Sequence, residues 1–329
     1  MISLIFCHHK GRLIDRAIET ALKSRKIEFE IIVATSDPTF SYNHPVVKVV
    51  QIEGGPAKKR NLALRYSIGE YIAFYDDDVE LDMDSLVEMY HVLIRPEVGM
   101  VFGKLLNMEH RDRFDEAGGF LTWTGFIWSR AENNLKDVGQ YENIEPVFSG
   151  KSAACMIKRK VLTSVGAFDT TFGILGEETD LAWRVWLSGY QVLFVPRSVT
   201  WHAFNTKFKP IDFYTHERVY YNGCRNYITM LASNLETKNL WKILPIHIIC
   251  WIVAGTGMFF KGKFRAAFFI FRGLLSIPHN ISWIKIKREK VASIRKLTDK
   301  ELFKTIYRKV NLGYYLNRLF RYWQIGLHG

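Results

Sequence analysis

The chain has 329 residues, of which 48% are hydrophobic and 24% are charged, and this composition excludes disordered and low-complexity proteins. Its four cysteines are widely separated and form no Cys-x-x-Cys pair, so they provide no zinc or disulfide framework. The net charge is +12, yet residues 261–329 alone contain 16 Lys and Arg against 3 Asp and Glu. A nearly neutral body followed by a basic region predicts an anionic partner, either a membrane surface or a nucleic acid.

Two periodicities alternate along the first hundred residues. Short continuous apolar runs predict buried strands, and apolar residues at every third and fourth position predict helices. The predicted strands are residues 2–7, 29–34, 46–52, 71–75 and 99–106, and the predicted helices are residues 12–24, 56–67 and 84–93. Such alternation with short connections is typical of an α/β fold, with a mainly parallel sheet and helices on both faces.

The pattern becomes looser after residue 106 and changes again near residue 212. It predicts strands within residues 146–157 and 191–195, with a helix at residues 178–188 between them. Beyond residue 212 long helical patterns dominate, and residues 243–260 and 266–277 are nearly continuous apolar stretches. We therefore expect an α/β domain over residues 1–211 and a helical, basic region over residues 212–329.

Three adjacent aspartates, Asp76, Asp77 and Asp78, follow the predicted strand at residues 71–75. Ligands of α/β sheets bind at the carboxyl ends of the strands. Adjacent carboxylates repel one another unless a cation compensates them, and Mg²⁺ binds one or two carboxylates together with phosphate oxygens. Asp76 and Asp78 therefore fit a metal ion that holds a diphosphate, and the alternative is an acidic turn that caps the next helix.

Several sequence blocks resemble the family 2 glycosyltransferases, which have a GT-A fold. The family's Gly-rich turn, Arg-Asn, apolar strand and Asp-x-Asp stand here as GGPAKKRN (residues 54–61) and GEYIAFYDDDVEL (residues 69–81). The segment GAFDTTFGILGEETDLAWRVWLSGYQVLFVPRSVTWH (residues 166–202) is similar to the family's acceptor-side segment. The resemblance covers residues 2–202 and is weaker through residue 239. It implies a Rossmann-like fold with a nucleotide-sugar half (residues 1–106) and an acceptor half (residues 107–211).

The resemblance also implies a metal site that contacts the donor. Asp76 and Asp78 match the family's Asp-x-Asp, and His202 matches its histidine beyond the acceptor helix. Together they imply a site for Mg²⁺ or Mn²⁺, with Asp76 and Asp77 also close to the nucleotide. A neutral imidazole is a suitable third ligand for such an ion. The alternative for His202 is a residue that merely ends a strand.

A catalytic base is implied in the Gly-Glu-Glu-x-Asp block. Glu178 stands where the family has its base, which would take a proton from an acceptor hydroxyl as that oxygen attacks the sugar. One displacement would invert the anomeric centre. The family more often has aspartate at this position, so Glu177 and Asp180 remain alternatives for the base. The simplest alternative is a helix start that carries ordinary acidic residues.

The base of the nucleotide is not fixed by the sequence. The family usually has an aspartate after the second strand, where the base is read, and here Thr35 stands in that position with Asp37 two residues later. Thr35 offers a hydroxyl but no carboxylate, so uridine, guanosine and thymidine donors all remain open. The other expected donor-binding residues, for each of which an ordinary structural role is the alternative, are His8, Lys58, Arg60, Asn61 and Arg184.

The apolar stretch at residues 243–260 is at the lower limit for crossing a bilayer. Nucleotide sugars are cytosolic, so a single span would put the basic tail outside, against the positive-inside tendency. The sequence therefore favours attachment of residues 240–329 to an anionic membrane at its cytoplasmic face, as an in-plane helix or a hairpin. A soluble helical subdomain and a homodimer contact remain open for this region.

No Gln-x-x-Arg-Trp, which processive family members carry, occurs in the chain. The resemblance therefore implies addition of a single sugar to a lipid-linked or cell-surface glycan, as in rhamnosyltransferase-like enzymes. The rival functions are a nucleotidyltransferase of similar fold and a non-catalytic protein that binds a membrane or nucleic acid through its tail. Apolar runs flanked by basic residues fit a lipid interface better, so no nucleic-acid partner is expected.

Overall fold

A mixed ten-stranded sheet forms the centre of the protein, which is represented by a computed structural model that describes residues 1–11, 13–131, 135–203 and 217–325. The strands are β1 (Ile2–His8), β2 (Phe29–Thr35), β3 (Val47–Gln51), β4 (Tyr71–Asp76), β5 (Val79–Leu81), β6 (Val98–Asn107), β7 (Phe114–Glu116), β8 (Gly119–Thr122), β9 (Ile127–Ser129), β10 (Glu145–Pro146), β11 (Ala154–Lys158), β12 (Gln191–His202) and β13 (Tyr307–Arg308). The helices are α1 (Leu13–Leu22), α2 (Pro56–Ala63), α3 (Ser85–Leu93), α4 (Arg159–Val165), α5 (Glu177–Leu187), α6 (Gly223–Asn234), α7 (Thr237–Phe260), α8 (Phe264–Leu275), α9 (Ile281–Ile294), α10 (Asp299–Ile306) and α11 (Leu312–Ile325).

The strand order of the large sheet is β10-β12-β6-β11-β4-β1-β2-β3, with β5 paired to β12 and β7 paired to β6. Strands β4, β1, β2 and β3 are parallel neighbours, and so are β12 and β6. Strand β11 runs antiparallel between β4 and β6. The mainly parallel α/β sheet that the sequence predicted is therefore confirmed. A smaller sheet in the order β13-β8-β9 joins the C-terminal region to the body.

Some predicted elements end elsewhere in the structure. The helix predicted at residues 56–67 ends at Ala63 and is followed by one 3-10 turn. The strand predicted within residues 146–157 is divided into β10 and β11. Strand β12 continues past Val195 to His202 through a register shift that includes Pro196. Proline cannot donate to a strand ladder, which explains why the bulge lies there.

Alternate side chains of the strands enter two cores on opposite sides of the sheet. In β1, Leu4 and Phe6 belong to the core beneath α1 and α3, whereas Ile5 belongs to the core beneath α4 and α5. The second core also contains residues of the helical region, including Met230 of α6 and Val291 of α9. Helices α6 and α9 are therefore continuous with the α/β body. The predicted boundary at residue 211 lies outside the described residues.

Candidate active site at the carboxyl ends of the strands

Three predicted metal ligands, Asp76, Asp78 and His202, lie together and form what we call the metal-ligand cluster. Asp76 ends β4, and Asp78 follows in the turn before β5. Strand β5 pairs with the end of β12, which places His202 opposite Val79. One ligand atom from each of the three residues lies within 4.8 Å of the other two. Two carboxylates and an imidazole form a donor set that fits Mg²⁺ or Mn²⁺.

Asp115, at the centre of β7, contacts this cluster, and no motif in the sequence indicates it. Its Oδ2 lies 2.9 Å from Nδ1 of His202, and its Oδ1 accepts a hydrogen bond of 2.6 Å from Nζ of Lys151. The contact on Nδ1 leaves Nε2 of His202 directed to Asp78, 3.4 Å from Oδ1. Burial alone would lower the pKa of His202, but Asp78 and Asp115 outweigh it and raise that pKa to about 10.

Arg60, predicted as a donor-binding residue, connects the metal-ligand cluster to helix α5. Its guanidinium is buried and donates to Oδ1 of Asp76 at 2.8 Å and to Oε1 of Glu177 at 3.1 Å. The guanidinium also lies over the ring of Phe168, 5.2 Å from its centroid. A fork of fixed geometry that bridges two carboxylates holds their relative positions more firmly than a flexible lysine would. Arg60 thus joins Asp76, which is 16 residues after it in sequence, to Glu177, which is 117 residues after it.

The first turn of α5 carries the three candidate bases. Gly176 stands before the helix with a positive φ of 88°, which glycine adopts without strain. Glu177 is buried against Arg60, whereas Glu178 retains some exposed surface. Burial and then the charge of Glu177 raise the pKa of Glu178 well above its ordinary value. Glu178 is therefore the member of the pair that can meet a substrate.

Asp180, the third candidate, faces away from the cluster and is fully buried. Its Oδ2 accepts from Nε of Arg184 at 3.0 Å. Its Oδ1 accepts from Nδ2 of Asn234 at 2.8 Å and lies 2.9 Å from Nζ of Lys287. Burial alone would raise the pKa of Asp180, but Lys287 and Arg184 hold it at about 2. A carboxylate so enclosed ties helices α5, α6 and α9 together, and its geometry does not favour the alternative role as base.

On the donor side, His8 and Thr35 form a buried pair that supports Asp37. Nδ1 of His8 lies 2.8 Å from the hydroxyl oxygen of Thr35, and Nε2 lies 3.2 Å from the carbonyl oxygen of Gly11. The Thr35 hydroxyl also accepts a hydrogen bond of 2.9 Å from the amide of Asp37. Hydrogen bonds from Thr39 lower the pKa of Asp37, whose carboxylate is half-exposed. Asp37, and not Thr35, is the side chain presented at this strand end.

The remaining predicted donor-binding residues differ in their surroundings. Lys58 is exposed at the start of α2. The amide of Asn61 makes two hydrogen bonds, of 2.7 and 3.0 Å, with the backbone of Phe168. Arg184 donates to Asp180 and to the carbonyl oxygens of residues 165–167. Oδ2 of Asp77 accepts from the amide of His9 at 3.2 Å. Asn61 and Arg184 thus hold the segment that leads to α5.

Lys59 was not singled out by the sequence, yet it connects the first two strand ends. Its buried Nζ lies 2.5 Å from the carbonyl oxygen of His8 and 2.9 Å from the hydroxyl oxygen of Ser36. Burial lowers its pKa. A run of three basic residues at a helix start gives no indication of which one points inward, so this contact was visible only in the structure.

Comparison with known proteins shows which proteins the chain resembles. The chain is 32% identical over 139 residues to the O-antigen biosynthesis protein RfbC of Myxococcus xanthus, which covers 40% of this chain and 11% of that protein. The chain spans between 11% and 41% of the length of the curated relatives that it matches.

Solved structures share the fold at low sequence identity. A crystal structure of GalNAc-T7 with UDP, GalNAc and Mn²⁺ has a TM-score of 0.56 at 14% identity, over 72% of this chain and 48% of that one. A mannosyltransferase of Pyrobaculum calidifontis, in complex with GDP-Man and Mn²⁺, has a TM-score of 0.50 at 15% identity, over 89% of this chain and 85% of that one. The family model for glycosyl transferase family group 2 matches residues 71–278, which include the metal-ligand cluster, α5 and the α7–α8 region. The chain belongs to glycosyl transferase family group 2, and its fold is that of the GT-A glycosyltransferases.

Proposed function

We propose that the protein is an inverting glycosyltransferase, which moves one sugar from a nucleotide-diphosphate sugar to an acceptor hydroxyl. The bridge made by Arg60 is the observation that carries this proposal, because it links Asp76 of the metal-ligand cluster to Glu177, next to Glu178. A group that binds the diphosphate and a group that activates the acceptor are thereby fixed relative to each other. A nucleotidyltransferase of similar fold would have no use for a base on α5.

The metal-ligand cluster would hold Mg²⁺ or Mn²⁺. When bound, the ion would offset the negative charge that develops on the leaving diphosphate. Three features support this assignment: the donor set of Asp76, Asp78 and His202, the hydrogen bond that Asp115 accepts from Nδ1 of His202 and that orients the imidazole, and the Mn²⁺ in two structures of similar fold. Carboxylate partners of this kind are common behind metal-bound histidines.

Glu178 would act as the base. Its carboxylate would take the proton from the acceptor hydroxyl while that oxygen forms a bond to the anomeric carbon and the bond to the diphosphate breaks. Attack from the face opposite the nucleotide inverts the anomeric centre. The raised pKa of Glu178 suits a group that must gain a proton during the reaction. The carboxylate of Glu177 forms an ion pair with Arg60, so we propose that Glu177 positions this turn of α5 and does not act as the base.

Asp37 is our choice for the side chain that reads the nucleotide, since it carries the carboxylate at the end of β2. Thr35 and His8 would act through Asp37 by holding its backbone. Lys58 is exposed and free to approach a phosphate, whereas Asn61 and Arg184 would act by shaping the loop before α5. The similar structures contain UDP in one case and GDP-Man in the other, so the identity of the base is left to experiment.

Thermal unfolding with nucleoside diphosphates tests this proposal directly. A ligand at 100 times its Kd stabilises a protein by about 2.7 kcal/mol. We expect one nucleoside diphosphate to raise the Tm of the wild type only when Mn²⁺ is present, and we expect Asp78→Ala to remove this shift. Asp84→Ala is the matched control, because Asp84 lies outside the metal-ligand cluster and pairs with Arg25. Absence of a shift with every nucleoside diphosphate in the folded wild type would refute the proposal.

Membrane attachment is proposed for the α7–α8 hairpin, meaning helices α7 and α8 with the turn between them. Large apolar side chains are exposed along it, among them Trp241 (76%), Phe260 (81%), Phe264 (60%) and Phe268 (61%). Residues 237–275, which form this hairpin, contain six Lys and Arg and no Asp or Glu, so this surface has no acidic residue to repel anionic headgroups. An exposed apolar surface with basic residues and no acids is typical of a lipid interface.

The middle of α7 is held against the α/β body, which favours attachment in the membrane plane over a span. Among the described residues α7 is the one helix long and apolar enough to cross a bilayer. However, Nδ1 of its buried His247 lies 2.9 Å from the carbonyl oxygen of Thr124, and its Trp251 donates to His247 at 2.9 Å. We therefore propose a monotopic attachment at the cytoplasmic face, next to a lipid-linked or cell-surface glycan acceptor.

Vesicle sedimentation tests the attachment. We expect the wild type to bind vesicles that contain phosphatidylglycerol more tightly than phosphatidylcholine vesicles. Phe260→Ser with Phe264→Ser should weaken this binding at least about tenfold, because each buried aromatic ring contributes about 1.5–3 kcal/mol. Ile68→Ser is the control, since Ile68 is 74% exposed but lies outside the helical region. A hairpin that instead mediates a homodimer would give a concentration-dependent mass in light scattering and no vesicle binding.

A further inference from the structure

The loop directly before α5 has an unusual backbone. Gly173, Leu175 and Gly176 all have positive φ, of 68°, 76° and 88°. Glycine adopts this region freely, but Leu175 has a Cβ that disfavours it. The loop leads without a break into Glu177 and Glu178, so its conformation sets where the carboxylates of α5 lie. A loop of this kind keeps one conformation only if its surroundings hold it.

Asn226 of α6 keeps the loop in this conformation through hydrogen bonds to its backbone. Its buried Nδ2 lies 2.9, 3.0 and 2.7 Å from the carbonyl oxygens of Phe172, Ile174 and Leu175, so its two N–H groups are shared among three acceptors. Next to it, Nη2 of Arg225 donates to the carbonyl oxygen of Thr171 at 2.6 Å. One turn of α6 therefore contacts the backbone of nearly the whole loop.

We propose that Asn226, assisted by Arg225, is a positioning residue that fixes the loop at residues 171–176 and thereby sets the place of Glu178. This inference rests on the proposed function for its catalytic consequence. Helix α6 belongs to the helical region, beyond the α/β domain, so that region supplies part of the catalytic arrangement. The metal-ligand cluster is built on β4, β12 and the turn before β5, and its members pair with Arg60 of α2, with Asp115 of β7 and with one another. Loss of Asn226 should therefore affect turnover and leave binding of the nucleotide unchanged.

Asn226→Asp is the sharpest test, because it preserves the size of the side chain and removes both N–H donors. We expect faster amide hydrogen exchange in residues 171–180, a kcat at least about tenfold lower, and a KM for the donor unchanged within about twofold. Binding of nucleoside diphosphate with Mn²⁺ should also be unchanged. If Asn226→Asp does not fold, Arg225→Gln takes its place as the test, since Arg225 is less buried. We expect it to change amide exchange and kcat in the same direction, by a smaller factor.

Asn234→Ala is the matched control. Asn234 is an equally buried amide on the same helix, but it donates to Asp180 and Met230 and not to the loop. It should lower the Tm without changing exchange in residues 171–176 or kcat. The inference would be overturned if the loop of Asn226→Asp exchanged its amide hydrogens at the wild-type rate. It would also be overturned if the kcat of Asn226→Asp equalled that of Asn234→Ala. Faster exchange in Asn226→Asp, together with a wild type that transfers no sugar, would uphold the positioning and reject the proposed function.

Discussion

Glu178→Gln is expected to lower kcat for sugar transfer by roughly 100- to 10,000-fold, the usual contribution of a positioned general base. Glutamine occupies the same space and makes similar contacts but cannot accept the proton of the acceptor hydroxyl. Binding of nucleoside diphosphate with Mn²⁺ should persist, because the metal-ligand cluster is intact. The measurement is steady-state transfer together with the anomeric configuration of the product by NMR. A rate near that of the wild type would show that Glu178 is not the base.

The pH dependence gives a second readout of the same residue. A base must be deprotonated to act, and the pKa of Glu178 is raised above the ordinary glutamate value of 4.5 by burial and by Glu177. Activity should therefore fall as the pH is lowered through this raised pKa, well above the range in which an exposed glutamate titrates. This decrease in activity at low pH, the acid limb of the profile, should be absent in Glu178→Gln. Glu178→Asp, which retains a carboxylate on a shorter side chain, should keep the limb at a reduced rate.

Lys287→Met is expected to destabilise the protein by about 3–5 kcal/mol, the usual cost of removing one partner from a buried ion pair. Nζ of Lys287 lies 2.9 Å from Oδ1 of Asp180 and 2.8 Å from Oδ2 of Asp169, and the three side chains are buried. Methionine fills a similar volume but leaves both carboxylates without this cation. Urea unfolding at pH 7 measures the effect. Lys285→Met, on the exposed side of the same helix, should change the free energy of unfolding by no more than about 0.5 kcal/mol.

Acid unfolding should depend on the same contact. The pKa of Asp180 is held at about 2, below the ordinary value of 3.8, so its contribution to stability is fully present above about pH 4 and is lost as the pH falls towards 2. Without Lys287 this pKa should rise, and the difference between variant and wild type should shrink in acid. A double variant, Lys287→Met with Asp180→Asn, should lose less free energy of unfolding than the two single variants lose together. Strict additivity would contradict a direct interaction between the two.

Much of the α/β body could be predicted from periodicity. Strands β1, β2 and β4 end within one residue of their predicted ends, because short apolar runs with polar flanks have few other ways to be buried. The family resemblance is confirmed, and Asp76, Asp78 and His202, which it pointed to, are close in space. The extension of β12 past Pro196 was missed, since a proline in a pattern normally argues that a strand has ended.

Supporting residues could not be predicted, because their roles depend on contacts across long stretches of chain. Asp115 is 87 residues from His202, and Asn226 is more than 50 residues from the loop that it holds. In the sequence Asp115 is one of several scattered acids, and Asn226 is a polar residue in a helix. The pattern Glu-Glu-x-Asp leaves Asp180 open as an alternative base, because it does not reveal that Asp180 pairs with Lys287, on a helix more than 100 residues later.

The pairing of β13 with β8 has a consequence for the order in which the protein folds during synthesis. Tyr307 of β13 lies beside Leu121 of β8, and Trp123 donates to the carbonyl oxygen of Val310 at 2.9 Å. The ribosome makes about 5–20 residues per second, so roughly 10–40 seconds separate the appearance of the two strands. During that time the open edge of β8 and the place of Lys287 beside Asp180 are exposed to other molecules. The nascent chain therefore passes through a long interval in which these surfaces stay uncovered before β13 arrives.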